Sequence, residues 1–311
     1  DGNVYRGGDH VITRGCPAKC SYCLFDTMNA LNDGDANLRR YEIDRIIAEL
    51  KSLKENFNLN FYRFQDSTFL SIPTTYLNEF ADRYSKEIGL PCVIDVMPQS
   101  VTKEKVLALA KMGCAAAGVG TETGNEQLRF KVGKPVKDAT IVKAFRLIEQ
   151  YGNGMYSGAF LLMGFPMETR DHYWDSVNFV RNARVNGPTI GFVYPFKGTT
   201  LRDEAIRLGL FDAEAEESGE IGYHRLHPVI KNPNISSEEY RGMMRSFIFY
   251  VKFPKRFWNE IQQAEKLTDK GDNVYKKFAE AYMEEDLFRK FLPENKPLFC
   301  EVNIKPSIKL S

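Results

Sequence analysis

Cys16, Cys20 and Cys23 fall within eight consecutive positions, in the run Thr13-Arg14-Gly15-Cys16-Pro17-Ala18-Lys19-Cys20-Ser21-Tyr22-Cys23. The spacing is C-x3-C-x2-C. Thiolate is the ligand that iron–sulfur clusters use, and three thiolates this close can wrap one small inorganic cluster. Three ligands for four irons leave one iron open to a substrate or cofactor. A structural zinc site takes four ligands, commonly as two separated pairs, and no nearby fourth ligand presents itself, because His10 falls inside an expected strand. Zinc and a chance grouping of unliganded thiols are the weaker alternatives. Cys92 and Cys114 border apolar strands, where thiols act as small hydrophobes. They and Cys300 read as structural or incidental.

The elements that must position these residues alternate along the chain. Strands are expected at His10–Thr13, Asn60–Phe64, Val93–Val96, Ala115–Val119, Gly158–Met163 and Thr189–Val193. Helical stripes separate them: Ile43, Ile46, Ile47, Leu50 and Leu53 share one face, as do Ile141, Ala144, Phe145 and Ile148, and Tyr173, Val177 and Val180. Strands alternating with helices demand a parallel sheet with right-handed crossovers. Periodicity alone leaves an open doubly wound sheet and an incomplete barrel as alternatives. Either one places chemistry in the loops after the strand C-termini, which is where the cysteine run stands.

The 311 residues suffice for one large α/β domain and an appendage. Lys and Arg (42) balance Asp and Glu (41), so no chain-wide basic signal points to nucleic acid. No run approaches the about 18 apolar residues of a membrane span, and Asp1–Arg14 lacks the apolar core of a signal peptide. A cytoplasmic protein is expected. The chain opens at Asp1 without an initiator Met, which raises the expectation of a fragment, a processed form or a renumbered chain with an upstream domain missing. Near Leu210 the pattern changes. Phe211–Glu220 reads as an exposed linker or short acidic helix, and Ser236–Lys252 and Lys255–Glu285 as helices, the first with start signals at Ser236 and Ser237 followed by Glu238 and Glu239. Pro293–Ser311 reads as a partly disordered tail. The expected division is residues 1–205 and residues 206–311.

Arg14-Gly15-Cys16-Pro17-x-x-Cys20-x-Tyr22-Cys23 after a first strand resembles the radical S-adenosylmethionine (SAM) superfamily. The resemblance continues in order. Phe64-Gln65-Asp66-Ser67 stands where the family holds the SAM amino group. Gly120-Thr121-Glu122-Thr123-Gly124-Asn125-Glu126 resembles a G-x-E-S/T-G-x-E element, and Gly164-Phe165-Pro166-Met167-Glu168-Thr169 matches a G-x-P-x-E-T turn. Tyr194-Pro195-Phe196-Lys197-Gly198-Thr199 resembles a P-x-P-G-T element, with Lys197 replacing the customary Pro. The set is most similar to the branch of cobalamin-dependent radical SAM methyltransferases and the anaerobic porphyrin-ring cyclase. The D-x-H-x-x-G cobalamin signature of that branch occurs nowhere in the chain, and Ser67 stands where many relatives have a second acid.

The resemblance implies an α/β fold: a partial parallel (βα)6 TIM-like barrel with a mainly helical C-terminal region. It also implies a [4Fe–4S] cluster on Cys16, Cys20 and Cys23 that cleaves SAM reductively to methionine and a 5′-deoxyadenosyl radical. Asp66 and Ser67, with Gln65 beside them, suit the ammonium; a turn or helix cap is the alternative for Asp66. Glu122 suits ribose hydroxyls or the amino group, and Ser157 the ribose or carboxylate, against a structural role. Tyr22 meets adenine through its backbone, Gly164 and Pro166 shape the adenine turn, Glu168 caps the following helix, and Tyr194 completes the cofactor contacts. The expected substrate is a small molecule or peptide, with reduced ferredoxin or flavodoxin as electron donor. The reaction is modification of an organic substrate, by C-methylation with cobalamin from a missing domain or another chain, or by hydrogen abstraction for cyclisation or rearrangement without cobalamin. From a different class, the rival is a non-catalytic iron–sulfur or zinc module on a degenerate barrel. His224 and His227 read as a solvent-facing or locally bonded pair, and the aromatic run Phe247–Trp258 as core.

Overall fold

The computed structural model describes residues 5–31, 38–220 and 227–284. Strand β1 (Gly7–His10) is followed by β2 (Thr13–Arg14), α1 (Leu24–Leu31), β3 (Arg39–Arg40), α2 (Ile43–Phe57), β4 (Phe61–Phe64), α3 (Thr74–Glu87), β5 (Cys92–Val96), α4 (Lys103–Lys111) and β6 (Cys114–Glu122). Then come α5 (Glu126–Lys131), α6 (Asp138–Tyr151), β7 (Tyr156–Met163), α7 (Arg170–Asn182), β8 (Gly187–Phe192), α8 (Thr200–Arg207), α9 (Ala213–Glu217), α10 (Ser237–Lys252), α11 (Trp258–Ala264) and α12 (Asp269–Glu284).

Six strands form one sheet in the order β1-β4-β5-β6-β7-β8, while β2 and β3 make a separate antiparallel pair. The pairs β1–β4, β4–β5 and β5–β6 are parallel. Successive neighbours joined through helices are what the alternating pattern demanded. The expected helical faces are the buried ones: Ile43, Ile46, Ile47 and Leu50 on α2, and Ile141, Ala144, Phe145 and Ile148 on α6. Along the strands one parity is apolar and covered. Tyr62 and Phe64 are fully buried, Phe64 lying against Phe80 and Tyr84 of α3, and the Tyr62 hydroxyl donates to Leu50 O of α2 at 2.6 Å.

The first strand is shifted from its expected place. It runs over Gly7–His10, in register with Phe61–Phe64, instead of His10–Thr13. Val, Ile and Thr favour strands and Gly does not, so propensity points to the wrong segment. A Cβ on Gly7 would stand 2.3 Å from the Phe61 ring, so the missing side chain is what lets that ring lie on the strand. Beyond His10, the N–H groups of Ile12 and Thr13 leave the ladder for a side chain.

Two compact units divide the chain. One comprises residues 1–121, 126–160 and 183–187; the other comprises residues 122–125, 161–182 and 188–311. The expected boundary at residues 205/206 lies inside the second unit. That unit holds α10, whose Ser236–Glu239 capping box fulfils the expected start signal. The expected helix Lys255–Glu285 is instead a turn followed by α11 and α12. Arg245 accounts for the break: it donates to Ala264 O at 2.6 Å and to Lys266 O at 2.5 Å, satisfying carbonyls that a continuous helix would have used. The run Phe247–Trp258 is core as expected, with Phe247, Phe249, Tyr250 and Phe253 buried and Trp258 stacked on Trp174 at 5.1 Å.

Candidate functional site

In the first unit, the cysteines occupy the irregular segment between β2 and α1. Cys16 and Cys20 are buried and Cys23 is half-buried. Gly15 enters the segment at φ 98°, a conformation open to glycine. The segment is tied down by backbone. Cys23 N–H donates to Cys20 O at 3.0 Å, Ser21 N–H donates to Val132 O at 3.0 Å, and the Asn29 amide donates to Cys16 O at 2.9 Å. Gly133, at φ 77°, lets the turn after α5 slide beneath the segment: a Cβ there would meet Lys19 O at 2.5 Å. Burial raises the Cys16 thiol above its ordinary value, while a backbone hydrogen bond at Ala18 and the positive charge of Lys134 act in the opposite direction.

No group of three or more His, Cys, Asp or Glu side chains is gathered as a ready metal site among the described residues. The donor chemistry nonetheless fits an iron–sulfur cluster: three thiols on one short, backbone-anchored segment beside a lysine whose charge favours thiolate. Cys16, Cys20 and Cys23 are therefore the residues that would hold it. Tyr22, between two of them, is half-buried.

Asp66, Gln65 and Ser67 follow β4. The Asp66 carboxylate is 4% exposed and accepts from Ile12 N–H at 3.2 and 3.3 Å, from Thr13 N–H at 2.6 Å and from the Thr13 hydroxyl. Burial raises its pKa and these hydrogen bonds oppose the rise. Gln65 and Ser67 point the other way. They line a cavity of about 260 Å³ together with Thr13, Arg14, Gly15 and Asn29. The same unit holds Ser157. It is 4% exposed, and both its N–H and its hydroxyl donate to Asn186 Oδ1 at 2.8 Å. Its parity is that of Ala159, on the covered face of β7. Its hydroxyl thus makes a structural contact, the alternative held open for it.

In the second unit, Glu122 ends β6 at φ 63° and is half-buried between buried Thr121 and Thr123. A non-glycine residue in the left-handed region is uncommon, and such strain clusters at functional sites. Gly124 then passes against α7: its N–H donates to Ser176 Oγ at 2.9 Å, and a Cβ would stand 2.5 Å from Asp175 O. Gly164, at φ 87°, donates its N–H to Glu168 Oε2 at 2.5 Å. Glu168 is thus not the cap of α7. It closes the turn that precedes it and accepts from the Tyr240 hydroxyl at 3.0 Å, while Asn232 donates to Tyr240 Oη at 2.9 Å and to Phe165 O and Glu168 O. Burial pushes the Glu168 carboxyl up to about 7. Tyr194 is turned to a protein partner: its hydroxyl donates to Glu216 Oε1 at 2.5 Å, and Arg202 pairs with Glu216 at 2.7 Å. Of the two expectations for Phe211–Glu220, an exposed linker or a short acidic helix, the helix is found as α9, and it is fastened at Glu216. His224 and Cys300 lie outside the described residues; His227 is exposed.

Three contributors escape motif reading. Lys134 and Gly133 form a turn whose partner is more than a hundred residues earlier, and Asn186 lies in a loop before β8. The only local signal was the Gly133-Lys134-Pro135 turn.

The family model of the radical SAM superfamily matches residues 10–180, more than half of the chain. The chain belongs to the radical SAM superfamily. An uncharacterised methyltransferase of Pyrococcus horikoshii is 22% identical over 253 residues, covering 81% of this chain and 52% of that protein. The bacteriochlorophyllide d C-12(1)-methyltransferase of Chlorobaculum tepidum is 22% identical over 197 residues, 62% of this chain and 41% of that one. The chain thus spans about half the length, or less, of these two relatives. Among solved structures, the radical SAM methyltransferase TsrM of Kitasatospora setae with cobalamin and a [4Fe–4S] cluster bound has a TM-score of 0.59 at 16% identity, covering 88% of this chain and 61% of that one. This likeness concerns the fold: α/β, of the partial (βα)6 barrel type, with a helical C-terminal region. The superfamily implies a [4Fe–4S] cluster, SAM and an enzyme. No described helix is long and apolar enough to cross a membrane.

Proposed function

We propose that this chain cleaves SAM reductively at a [4Fe–4S] cluster held by Cys16, Cys20 and Cys23, and that it serves C-methylation of an organic substrate. The observation that carries the first part is the backbone-anchored three-cysteine segment within a matched radical SAM region. When bound and reduced, the cluster supplies the one electron that breaks the sulfonium C–S bond of SAM. The protein's own residues place and shield the reactants. Gln65 and Ser67 offer oxygen acceptors to the SAM ammonium from the cavity beside Gly15. Glu122 offers a carboxylate to hydroxyl or ammonium donors, held by a backbone that spends strain to present it. Gly164 and Glu168 shape a rigid turn for adenine.

Methylation is supported by two curated relatives that are methyltransferases and by the likeness to a cobalamin-bound methyltransferase. Cobalamin would come from a domain outside this chain, and the electron from reduced ferredoxin or flavodoxin, in the cytoplasm. The test uses anaerobically reconstituted protein, SAM and dithionite, with products quantified by mass spectrometry. Release of 5′-deoxyadenosine that vanishes in Cys20→Ala supports cleavage, and transfer of the SAM methyl group to added cob(I)alamin, giving S-adenosylhomocysteine and methylcobalamin, supports methylation. A protein holding zinc and no iron would sink the reading.

A further inference from the structure

Asp66, one of the expected cofactor contacts, is already hydrogen-bonded inside the protein. Its oxygens take the N–H groups of Ile12 and Thr13 and the hydroxyl of Thr13, and Ile12, Thr13 and Asp66 are all buried. An ammonium seeking Oδ1 would have to displace two buried backbone donors, and buried N–H groups left unpaired are costly; the carboxylate as a whole is only 4% exposed. Side chains alternate along an extended segment. Phe64 and Asp66 share the covered side, while Gln65 and Ser67 line the cavity that also contains Gly15.

The anchored residues stand at the root of the cysteine segment. Only Arg14 and Gly15 separate Thr13 from Cys16, and Arg14 is itself held in the β2–β3 pair. Thr13 therefore fixes where the short lead into Cys16 begins. We propose that Asp66 is a positioning residue for the cluster segment, fixing Ile12 and Thr13 so that Cys16 is correctly placed, and that the SAM ammonium is taken by Gln65 and Ser67. This rests on the reading of Cys16, Cys20 and Cys23 as cluster ligands.

The test compares Asp66→Asn, Thr13→Val and Ser67→Ala with the unaltered chain after anaerobic reconstitution. Iron and sulfide content, the rate of iron loss to a chelator, and the SAM-induced change in the electron paramagnetic resonance spectrum of the reduced cluster are measured. SAM affinity is expressed per remaining cluster. Asn keeps one oxygen for the donors of Ile12 and Thr13 but removes the carboxylate's charge and puts an NH2 group where Oδ2 shares the Ile12 N–H, so Asp66→Asn is expected to lose iron to the chelator roughly tenfold faster or more, as outer-shell changes do. Its SAM affinity per cluster stays within about twofold, because on this assignment no bond to SAM is removed. Thr13→Val, which keeps the carboxylate, shifts iron loss in the same direction by less. Ser67→Ala keeps its iron and binds SAM roughly fivefold more weakly, the loss of one hydrogen bond. Full iron in Asp66→Asn with SAM affinity lost would overturn the proposal. If Asp66→Asn does not fold, unchanged iron loss in Thr13→Val overturns it. If the unaltered chain takes up no iron, it is the cysteine assignment that fails.

Discussion

Asp66 and Glu168 are two buried carboxylates, 4% and 3% exposed, each placed just after a strand and each accepting backbone N–H groups. They belong to different units and do different work. Asp66 reaches back more than fifty residues to the root of the cysteine segment and takes three donors. Glu168 reaches back to the turn's own Gly164 and Phe165 N–H groups, and its third donor is the Tyr240 hydroxyl of α10. Burial raises both, and the Glu168 carboxyl stands at about 7. The first unit thus uses a buried carboxylate to hold a ligand segment, whereas the second uses one to hold a turn, with its carboxyl pushed up to about 7.

The largest expected effect separates the units outright. Cys20→Ala should abolish cluster assembly, measured as iron and sulfide per chain after reconstitution, while Glu168→Gln should keep the iron of the unaltered protein. Loss of iron in Glu168→Gln would break the comparison, since it would put the second unit in charge of the cluster too.

Next in size is a pH effect. The folded Glu168 pKa lies above the usual carboxylate value, so between about 4.5 and about 7 the folded state keeps a proton that the unfolded state releases. Its stabilising contribution is complete below about 4.5 and is lost as pH rises through about 7. A shift of that size corresponds to roughly 3 kcal/mol across the window. Denaturant melts of the apoprotein at pH 5 and pH 8 should show Glu168→Gln with a flatter dependence than the unaltered chain; an identical slope would show that Glu168 stays ionised throughout.

Glu122→Gln should leave iron content unchanged and weaken SAM binding by roughly 10-fold or more, the scale of a hydrogen bond to a charged group. Titrating SAM against the reduced-cluster spectrum measures it. An unchanged affinity would leave the strained backbone at Glu122 without a cofactor role.

Much of this was legible in the sequence because the signals are local. The stripe Ile43, Ile46, Ile47 and Leu50 marks its own buried face, and the cysteine spacing carries its chemistry within eight positions. What was not legible depends on partners far along the chain. Nothing near Val11-Ile12-Thr13 says that Asp66 will take its N–H groups, and so strand propensity places the first strand too late. Nothing near Gly133 announces that Lys19 will pass over it. Ser157 is a different case, since it shares parity with the apolar Ala159, Leu161 and Met163. Strand alternation puts it on the covered face, in line with the structural role held open for it beside the cofactor contact. Tyr194 was read as a cofactor contact from its motif alone, and its partner Glu216 stands 22 residues further along the chain.

The smallest effect tests that last correction. Tyr194 donates to Glu216, which also pairs with Arg202, and beside this carboxylate and partly desolvated the phenol is pushed up to about 12, so it remains a neutral donor at physiological pH. Tyr194→Phe removes the hydrogen bond and leaves Arg202 to hold Glu216, at a cost of about 1 kcal/mol. Denaturant melts should register that loss while SAM affinity per cluster stays unchanged. Weaker SAM binding with unaltered stability would return Tyr194 to the cofactor, and with it the second unit's claim to more than shaping turns.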